Sequence, residues 1–107
     1  MLALEHYEKG MDHFSEDRLD EAIAEFGRAL EADPGYADAF HALAMCHYHK
    51  GEFDQAIEWG QRYRAADPDN PLAYTSLSMF YQAKGMITEA EEMGALAQQA
   101  ARREQKP

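Results

Sequence analysis

A period of 34 residues runs through this chain of 107 residues and constrains its fold more than any other feature. Met11, Met45 and Met79 lie 34 residues apart, and the dipeptide Asp33-Pro34 recurs as Asp67-Pro68. A fixed period of this length indicates one supersecondary unit repeated along the chain, with neighbouring units burying a continuous core. We therefore expect a single domain over residues 1–107, with units at 3–36, 37–70 and 71–104.

Within each unit the apolar residues recur three and four positions apart, which is the spacing of one helix face. Phe40, Leu43 and Ala44 show this spacing early in the second unit, and Phe53, Ala56 and Ile57 show it later. Each unit is thus predicted to be a pair of helices, and no strand pattern competes. The predicted helices cover 3–15, 19–32, 37–49, 53–66, 71–83 and 87–104.

The predicted helices are separated by residues that favour turns. Gly51 and Gly85 stand where the first helix of a unit should end, and glycine is preferred there because it adopts the left-handed conformation without strain. Asp17 holds the equivalent place in the first unit, so we expect that turn to be strained. Asn70 is predicted to cap a helix whose first residue is Pro71.

Composition and charge exclude several classes of function. Apolar residues make up 46% and charged residues 28% of the chain, as in a folded globular protein. The net charge of −10 disfavours nucleic acid and anionic membranes as partners. Ten acids against three bases place −7 of that charge in residues 3–36. The N-terminal end should therefore be strongly acidic.

Location and cysteine chemistry are predicted from what the sequence lacks. No stretch approaches the run of about 20 apolar residues that a membrane helix needs, and no basic and then apolar leader opens the sequence. We therefore expect a cytoplasmic protein. Cys46 is the one cysteine, so it cannot form an internal disulfide, which agrees with a reducing compartment.

These residues resemble the tetratricopeptide repeat family, whose unit is a helix-turn-helix of 34 residues with a characteristic apolar series. The second unit matches best, and the resemblance extends over residues 3–104. Departures include Lys9 in place of the usual Leu, and Gly60 followed by Tyr63 where the family has an aromatic residue followed by alanine. Exchanging a small for a large residue and a large for a small one could conserve core volume. The matching residues of the second unit are Phe40, Leu43, Ala44, Gly51, Phe53, Ala56 and Pro68.

The resemblance implies an all-α, right-handed α-solenoid of three antiparallel helix-turn-helix units. It implies a buried, inert thiol at Cys46, because the family has a small packing residue at that place. It also implies a concave groove, lined by the first helix of each unit, that holds a peptide or a helix of another protein. Met11, Met45 and Met79 would either form an apolar file along this groove or fill gaps between neighbouring first helices. We predict a binding surface that comprises Tyr7, Met11, Phe14, His41, Met45, Tyr48, His49, Leu72, Thr75 and Met79.

The partner predicted for this groove is a protein or peptide with apolar anchors and basic flanking residues. Some members of the family use basic residues and Asn to clamp the acidic tail of heat-shock chaperones. The corresponding places here are uncharged, so that specialisation is not expected. They are Tyr7, Met11, Ala42, Leu72 and Ser76.

Two other classes of function stay open at this point. The first is self-assembly, through the groove or through an apolar flank of the last helix that includes Leu96, which would give a homodimer. The second is a carrier of a soft metal or small ligand, because His41, Met45 and His49 share one helical stripe. We expect no catalysis, metal or cofactor, because no nucleophile motif, phosphate loop or zinc-type ligand spacing is present.

Overall fold

The computed structural model describes residues 2–105, which form six α-helices and contain no strand. The all-α repeat fold predicted from the sequence is confirmed. All predicted helix bounds agree with the structure except that the fifth helix ends one residue later, at Lys84. The helices are α1 (Ala3–Ser15), α2 (Leu19–Ala32), α3 (Ala37–His49), α4 (Phe53–Ala66), α5 (Pro71–Lys84) and α6 (Ile87–Glu104).

The turns inside the three units have one backbone geometry. In each, an N–H just past the helix donates to a carbonyl five residues earlier: Arg18 to His13, Glu52 to His47 and Met86 to Tyr81, at 2.8–2.9 Å. This pattern requires a residue of positive φ before the donor. Gly51 and Gly85 supply it at φ 78° and 84°, and Asp17 adopts it at φ 60°. The strained turn predicted at Asp17 is therefore present.

The start of α5 follows the prediction as well. The Asn70 side-chain oxygen accepts a hydrogen bond from the Leu72 N–H at 3.0 Å, and Pro71 is the first residue of the helix. The Asn70 amide also donates to the Tyr63 hydroxyl at 2.8 Å. This one side chain thus caps α5 and satisfies the polar atom of a buried tyrosine on α4.

The core alternates small and large side chains between neighbouring helices. Tyr63 is 3% exposed, whereas Gly60 on the same helix would place an added Cβ 2.8 Å from Leu77 and 3.3 Å from Phe80. Leu77 and Phe80 of α5 thus occupy the space that a larger residue at position 60 would take. The exchange of a small for a large residue predicted for the second unit is consistent with this packing.

Two Lys–Asp ion pairs join neighbouring units at equivalent positions. Lys50, after α3, contacts Asp20 of α2 at 2.6 Å, and Lys84, at the end of α5, contacts Asp54 of α4. Both residues of the second pair lie 34 positions after those of the first. Burial of the Asp20 carboxylate is slight, so we regard this pair as setting the register between units rather than as a main source of stability.

In the part of the chain that the structure describes, no helix has the length and apolar character needed to cross a membrane.

Candidate peptide-binding groove

A cavity of about 260 Å³ lies between the first helices of the first two units. Tyr7 and Met11 of α1 face His41 and Met45 of α3, which stand one period later. Side chains four residues apart project from the same side of a helix. Six of the ten residues predicted for the groove line this cavity, together with Ala42, which was not predicted. The lining residues are Tyr7, Met11, Phe14, His41, Ala42, Met45 and His49.

The three methionines of the predicted file differ in exposure. Met11 is 40% exposed on α1, whereas Met45 and Met79 are half-buried and pack against the core between α3 and α6. Met79 does not line the cavity. The apolar surface is therefore centred on the pair Met11 and Met45, and Met79 also serves as a packing residue.

The other predicted residues outside the cavity fall into two groups. Tyr48 points toward the core, with its ring centre 5.3 Å from that of Phe80 and 5.8 Å from that of Phe53. Leu72 and Thr75 are exposed on α5, and the Thr75 hydroxyl donates to the Pro71 carbonyl at 3.1 Å. The structure thus separates a cavity between α1 and α3 from the exposed residues Leu72 and Thr75 on α5.

One exposed residue that was not predicted from the sequence lies on the same side of α1 as Tyr7 and Met11. Leu4 is 53% exposed and lies three positions before Tyr7, so it extends the stripe formed by Tyr7 and Met11. Leu72, 45% exposed, holds the equivalent place in the third unit. The spacing of Leu4 from Tyr7 was the signal that could have identified it.

His41 is held in a fixed orientation at one end of the cavity. Its Nε2 lies 3.2 Å from the Ser76 hydroxyl, and its ring centre is 4.9 Å from that of Tyr63. Burial lowers the pKa of His41, although the nearby Asp38 carboxylate opposes that shift. A neutral imidazole keeps this wall of the cavity free of charge.

The Ser76–His41 contact does not form a nucleophilic pair that a substrate could reach. Ser76 is only 4% exposed, so its hydroxyl orients the histidine ring from behind the cavity wall. Cys46 is fully buried as predicted, and burial raises the pKa of its thiol to about 12. A thiol with this pKa is protonated and unreactive at neutral pH.

The two histidines of α3 are too far apart to share one metal ion. His41 and His49 are eight residues apart on a helix, which separates them by about 12 Å along its axis. A metal ion binds imidazole nitrogen at about 2 Å. Over residues 2–105 the structure also contains no group of three or more His, Cys, Asp or Glu side chains placed to hold a metal.

His49 lies at the opposite end of the cavity from His41. Its ring meets the rings of Phe14 and Tyr48 nearly edge to face, with both pairs of ring centres 5.5 Å apart. This arrangement is favourable for aromatic pairs and holds the exposed His49 at the rim of the cavity.

The end of the cavity nearest the N-termini of α1 and α3 is acidic. Tyr7 and Tyr36 meet edge to face, with ring centres 5.6 Å apart. Burial raises the pKa of both tyrosines, and the Asp38 carboxylate raises the pKa of each further. Glu8 and Asp33 add to this effect on the pKa of Tyr36. The carboxylates of Asp38, Glu8 and Asp33 thus give this end its negative charge.

The outer face of α1 is charged at positions that are buried in the other units. Four equivalent positions are buried in α3 and again in α5. In α1 they carry three acids and one base, all exposed. The buried sets are Ala39, Ala42, Leu43 and Cys46 in α3 and Ala73, Ser76, Leu77 and Phe80 in α5, and the exposed set is Glu5, Glu8, Lys9 and Asp12.

The outer face of α6 is also mostly polar. Ile23 and Ile57 pack against the two halves of the core, but their equivalent in α6 is the exposed Glu91. Leu96, which was expected to leave an apolar flank, is half-buried against the core instead. Exposed polar residues of this helix include Thr88, Glu91, Glu92, Gln98, Gln99 and Arg102. Its exposed apolar residues include Ile87 and Ala95.

The groove and its helix pairs define a protein of the tetratricopeptide repeat class. The sequence profile of the tetratricopeptide repeat matches residues 7–71, more than half of the chain. The chain belongs to the tetratricopeptide repeat family, as its repeat pattern predicted.

Solved structures share the fold over nearly the whole chain. Two structures of the protein MamA superpose with TM-scores of 0.92 and 0.90 at 29% and 30% sequence identity, over 95% and 94% of this chain. The chain spans 60% and 55% of the length of those two MamA chains. No curated protein sequence shows significant similarity to the chain.

More distant structures share the fold alone. One is the first tetratricopeptide domain of Spaghetti (RPAP3) bound to an HSP90 peptide, with a TM-score of 0.87 and 22% identity over 92% of this chain and 78% of that one. Another is the type III secretion chaperone SycD of Yersinia enterocolitica with a peptide of the translocator YopD. It has a TM-score of 0.86 and 22% identity over 90% of this chain and 73% of that one.

Proposed function

We propose that this protein is a non-catalytic interaction module whose groove binds a peptide or helix of another protein. In this proposal the cavity between α1 and α3 receives one apolar side chain of the partner, its anchor. Leu4 and Leu72 extend the contact to either side. The observation that carries the proposal is an apolar cavity, walled by Met11 and Met45, that opens to solvent beside an exposed Met11.

The size of the cavity favours a side chain over a free small molecule. Pockets for small ligands commonly enclose about 300–1,000 Å³, and this cavity is about 260 Å³. Methionine walls adapt to anchors of different shape because the side chain is flexible and polarizable. One anchor and a few flanking contacts support a micromolar affinity, which corresponds to about −8 kcal/mol.

The charge around the cavity supports a partner with basic residues beside its anchor. Asp38 and Glu8 are exposed near Tyr7 and Tyr36. An acidic peptide tail, such as the HSP90 peptide held by the RPAP3 domain, would meet repulsion here. The RPAP3 and SycD structures support a peptide-binding role for the fold in general, and the charge pattern supports a different class of peptide.

The competing functions receive less support from the structure. Self-assembly through the ends of the stack would have to bury Glu5, Glu8 and Asp12 at one end or Glu91 and its polar neighbours at the other, and burying unpaired charge is costly. A soft-metal carrier would need ligands closer together than His41 and His49. A non-catalytic binding module agrees best with the burial of Ser76 and Cys46, because neither side chain is accessible as a nucleophile.

Methyl NMR of the methionine side chains tests the proposal directly. Peptides selected on the protein from a phage-displayed random library would be titrated into protein labelled on its methionine methyl groups. We expect the methyl signals of Met11 and Met45 to shift first, with those of Met86 and Met93 nearly unchanged. Shifts confined to Met86 and Met93, or no selected peptides at all, would count against the groove.

A further inference from the structure

The two ends of the cavity differ in charge, and this difference constrains the sequence of the partner. At one end Asp38 lies one helical turn before His41, so the two side chains are neighbours on α3. At the other end His49 is followed by Lys50, which already forms an ion pair with Asp20 at 2.6 Å. Within residues 2–105, Asp38 and Glu8 have no ion-pair partner, so the N-terminal ends of α1 and α3 carry unbalanced negative charge beside the cavity.

The carboxylates at the acidic end are available to a ligand. Asp38 and Glu8 are exposed, and within the described residues neither takes part in an ion pair. Carboxylates elsewhere, such as Asp20, Asp54 and Glu25, are each bound by a cation or a histidine. Asp38 and Glu8 are therefore available to pair with a cation of the ligand.

The aromatic side chains at this end also suit a cation. The Tyr7 and Tyr36 rings meet at 85°, and among the described residues no arginine stacks on either ring. Arginines do stack on Trp59 and Tyr74 elsewhere in the molecule. A cationic side chain placed beside Tyr7 would gain both a carboxylate and an aromatic face.

We infer that the preferred partner of this groove is a peptide whose apolar anchor has a Lys or Arg close to it in sequence, on one side only. The anchor lies between Met11 and Met45, and the cation lies against Asp38 beside Tyr7 and Tyr36. This inference rests on the proposed function, since it specifies which peptides the same groove selects.

Helix geometry sets the spacing between anchor and cation. Asp38 precedes His41 by three residues and Met45 by seven, so it lies about 5 Å and about 10 Å from them along α3. An extended peptide advances about 3.3–3.6 Å per residue. The cation should therefore lie within about three residues of the anchor. A cation on the other side of the anchor would approach His49 and Lys50 and would form no favourable ion pair with either residue.

The test is a comparison of peptides selected from a phage-displayed random library on wild type and on Asp38→Asn. The matched control is Glu91→Gln, which removes one exposed carboxylate from the outer face of α6. On wild type and the control we expect an apolar anchor with Lys or Arg on one side. On Asp38→Asn we expect the anchor without the cation. Wild-type peptides should bind Asp38→Asn about two- to fivefold more weakly, with the difference lost at high salt.

The outcomes separate this inference from the function on which it rests. Anchors enriched on wild type without a neighbouring cation, or a cation preference kept by Asp38→Asn, would overturn the inference and leave the groove proposal standing. Selected peptides whose binding is insensitive to Met11→Gln would overturn both. Circular dichroism of each variant confirms that the substituted protein is folded.

Discussion

The backbone of Gly10 on α1 lies directly against the ring of Phe26 on α2. A Cβ at Gly10 would stand 2.5–2.9 Å from three atoms of that ring, which is closer than side chains approach. One turn earlier, Tyr7 packs on the same ring, with centres 5.7 Å apart, and also lines the cavity. The contact that holds α1 on α2 therefore also positions one wall of the candidate site.

Replacing Gly10 with alanine should destabilise the protein. The added methyl group must displace the Phe26 ring, and overpacking of this kind costs about 1–3 kcal/mol. The higher helix propensity of alanine offsets about 1 kcal/mol of that cost. Gly27→Ala is the matched control, because a Cβ there meets nothing within 4 Å and the same propensity gain should stabilise α2. Urea unfolding of the two variants should move in opposite directions, and equal stability would contradict the packing described here.

Replacing Asp17 with glycine should stabilise the protein. Asp17 adopts φ 60° at a turn where the other two units use glycine. The substitution relieves the left-handed strain but increases the entropy of the unfolded chain. The free energy of unfolding should therefore rise by about 0.5–1 kcal/mol. Thermal unfolding would then rise by a few degrees. Gly85→Asp, which creates the same strain in the third unit, should lower the midpoint, and a rise there would contradict this account.

Acidification should weaken the folded state through His41. Burial lowers the pKa of His41 in the folded protein below the ordinary value of 6.5. The unfolded chain therefore binds a proton first as pH falls, so the free energy of unfolding decreases from pH 6.5 down to the folded pKa and loses nothing more below it. His41→Gln lacks this titration. Its stability should fall less steeply over that window, and parallel curves for the two proteins would contradict the assignment.

The protein should be monomeric by light scattering at high concentration. Both outer faces of the stack carry charged residues where the internal faces are apolar, as Glu8 and Glu91 illustrate at positions equivalent to Ala42 and Ile57. End-to-end pairing would bury these charges without partners. A stable dimer would contradict this prediction. If the dimer persisted in Met11→Gln, its interface would lie outside the groove.

Much of the fold could be predicted from the sequence because local signals and the repeat agree. Helix limits, the Asn70 cap and the left-handed turn at Asp17 all depend on a few neighbouring residues. Gly60 and Tyr63 could be interpreted together because the family pattern shows what usually stands at their positions. Such features are set by helix periodicity and turn chemistry, which a sequence displays directly.

The exposure of the groove residues could be predicted only in part. Helical spacing shows which side chains share a face but not how far the next helix covers them, so the half-burial of Met45 and Met79 was not evident. The orientation of Tyr48 toward Phe80, and of His41 toward Ser76, depends on contacts across units. By contrast, the charged outer face of α1 was visible in the sequence, since Glu8 and Lys9 occupy positions that are apolar one period later. The cytoplasmic location stays a prediction.

The central claim, that a partner peptide is anchored between α1 and α3, is tested most directly by one pair of variants. Met11→Gln places a polar group of similar length at the cavity, and Ile87→Gln makes a comparable change at an exposed apolar residue of α6. Fluorescence anisotropy would give the affinity of a peptide selected on wild type. We predict a loss of about tenfold or more for Met11→Gln, because an anchor would bury the amide without a hydrogen-bond partner, and a change below about twofold for Ile87→Gln. Equal affinity of both variants and wild type would contradict the claim.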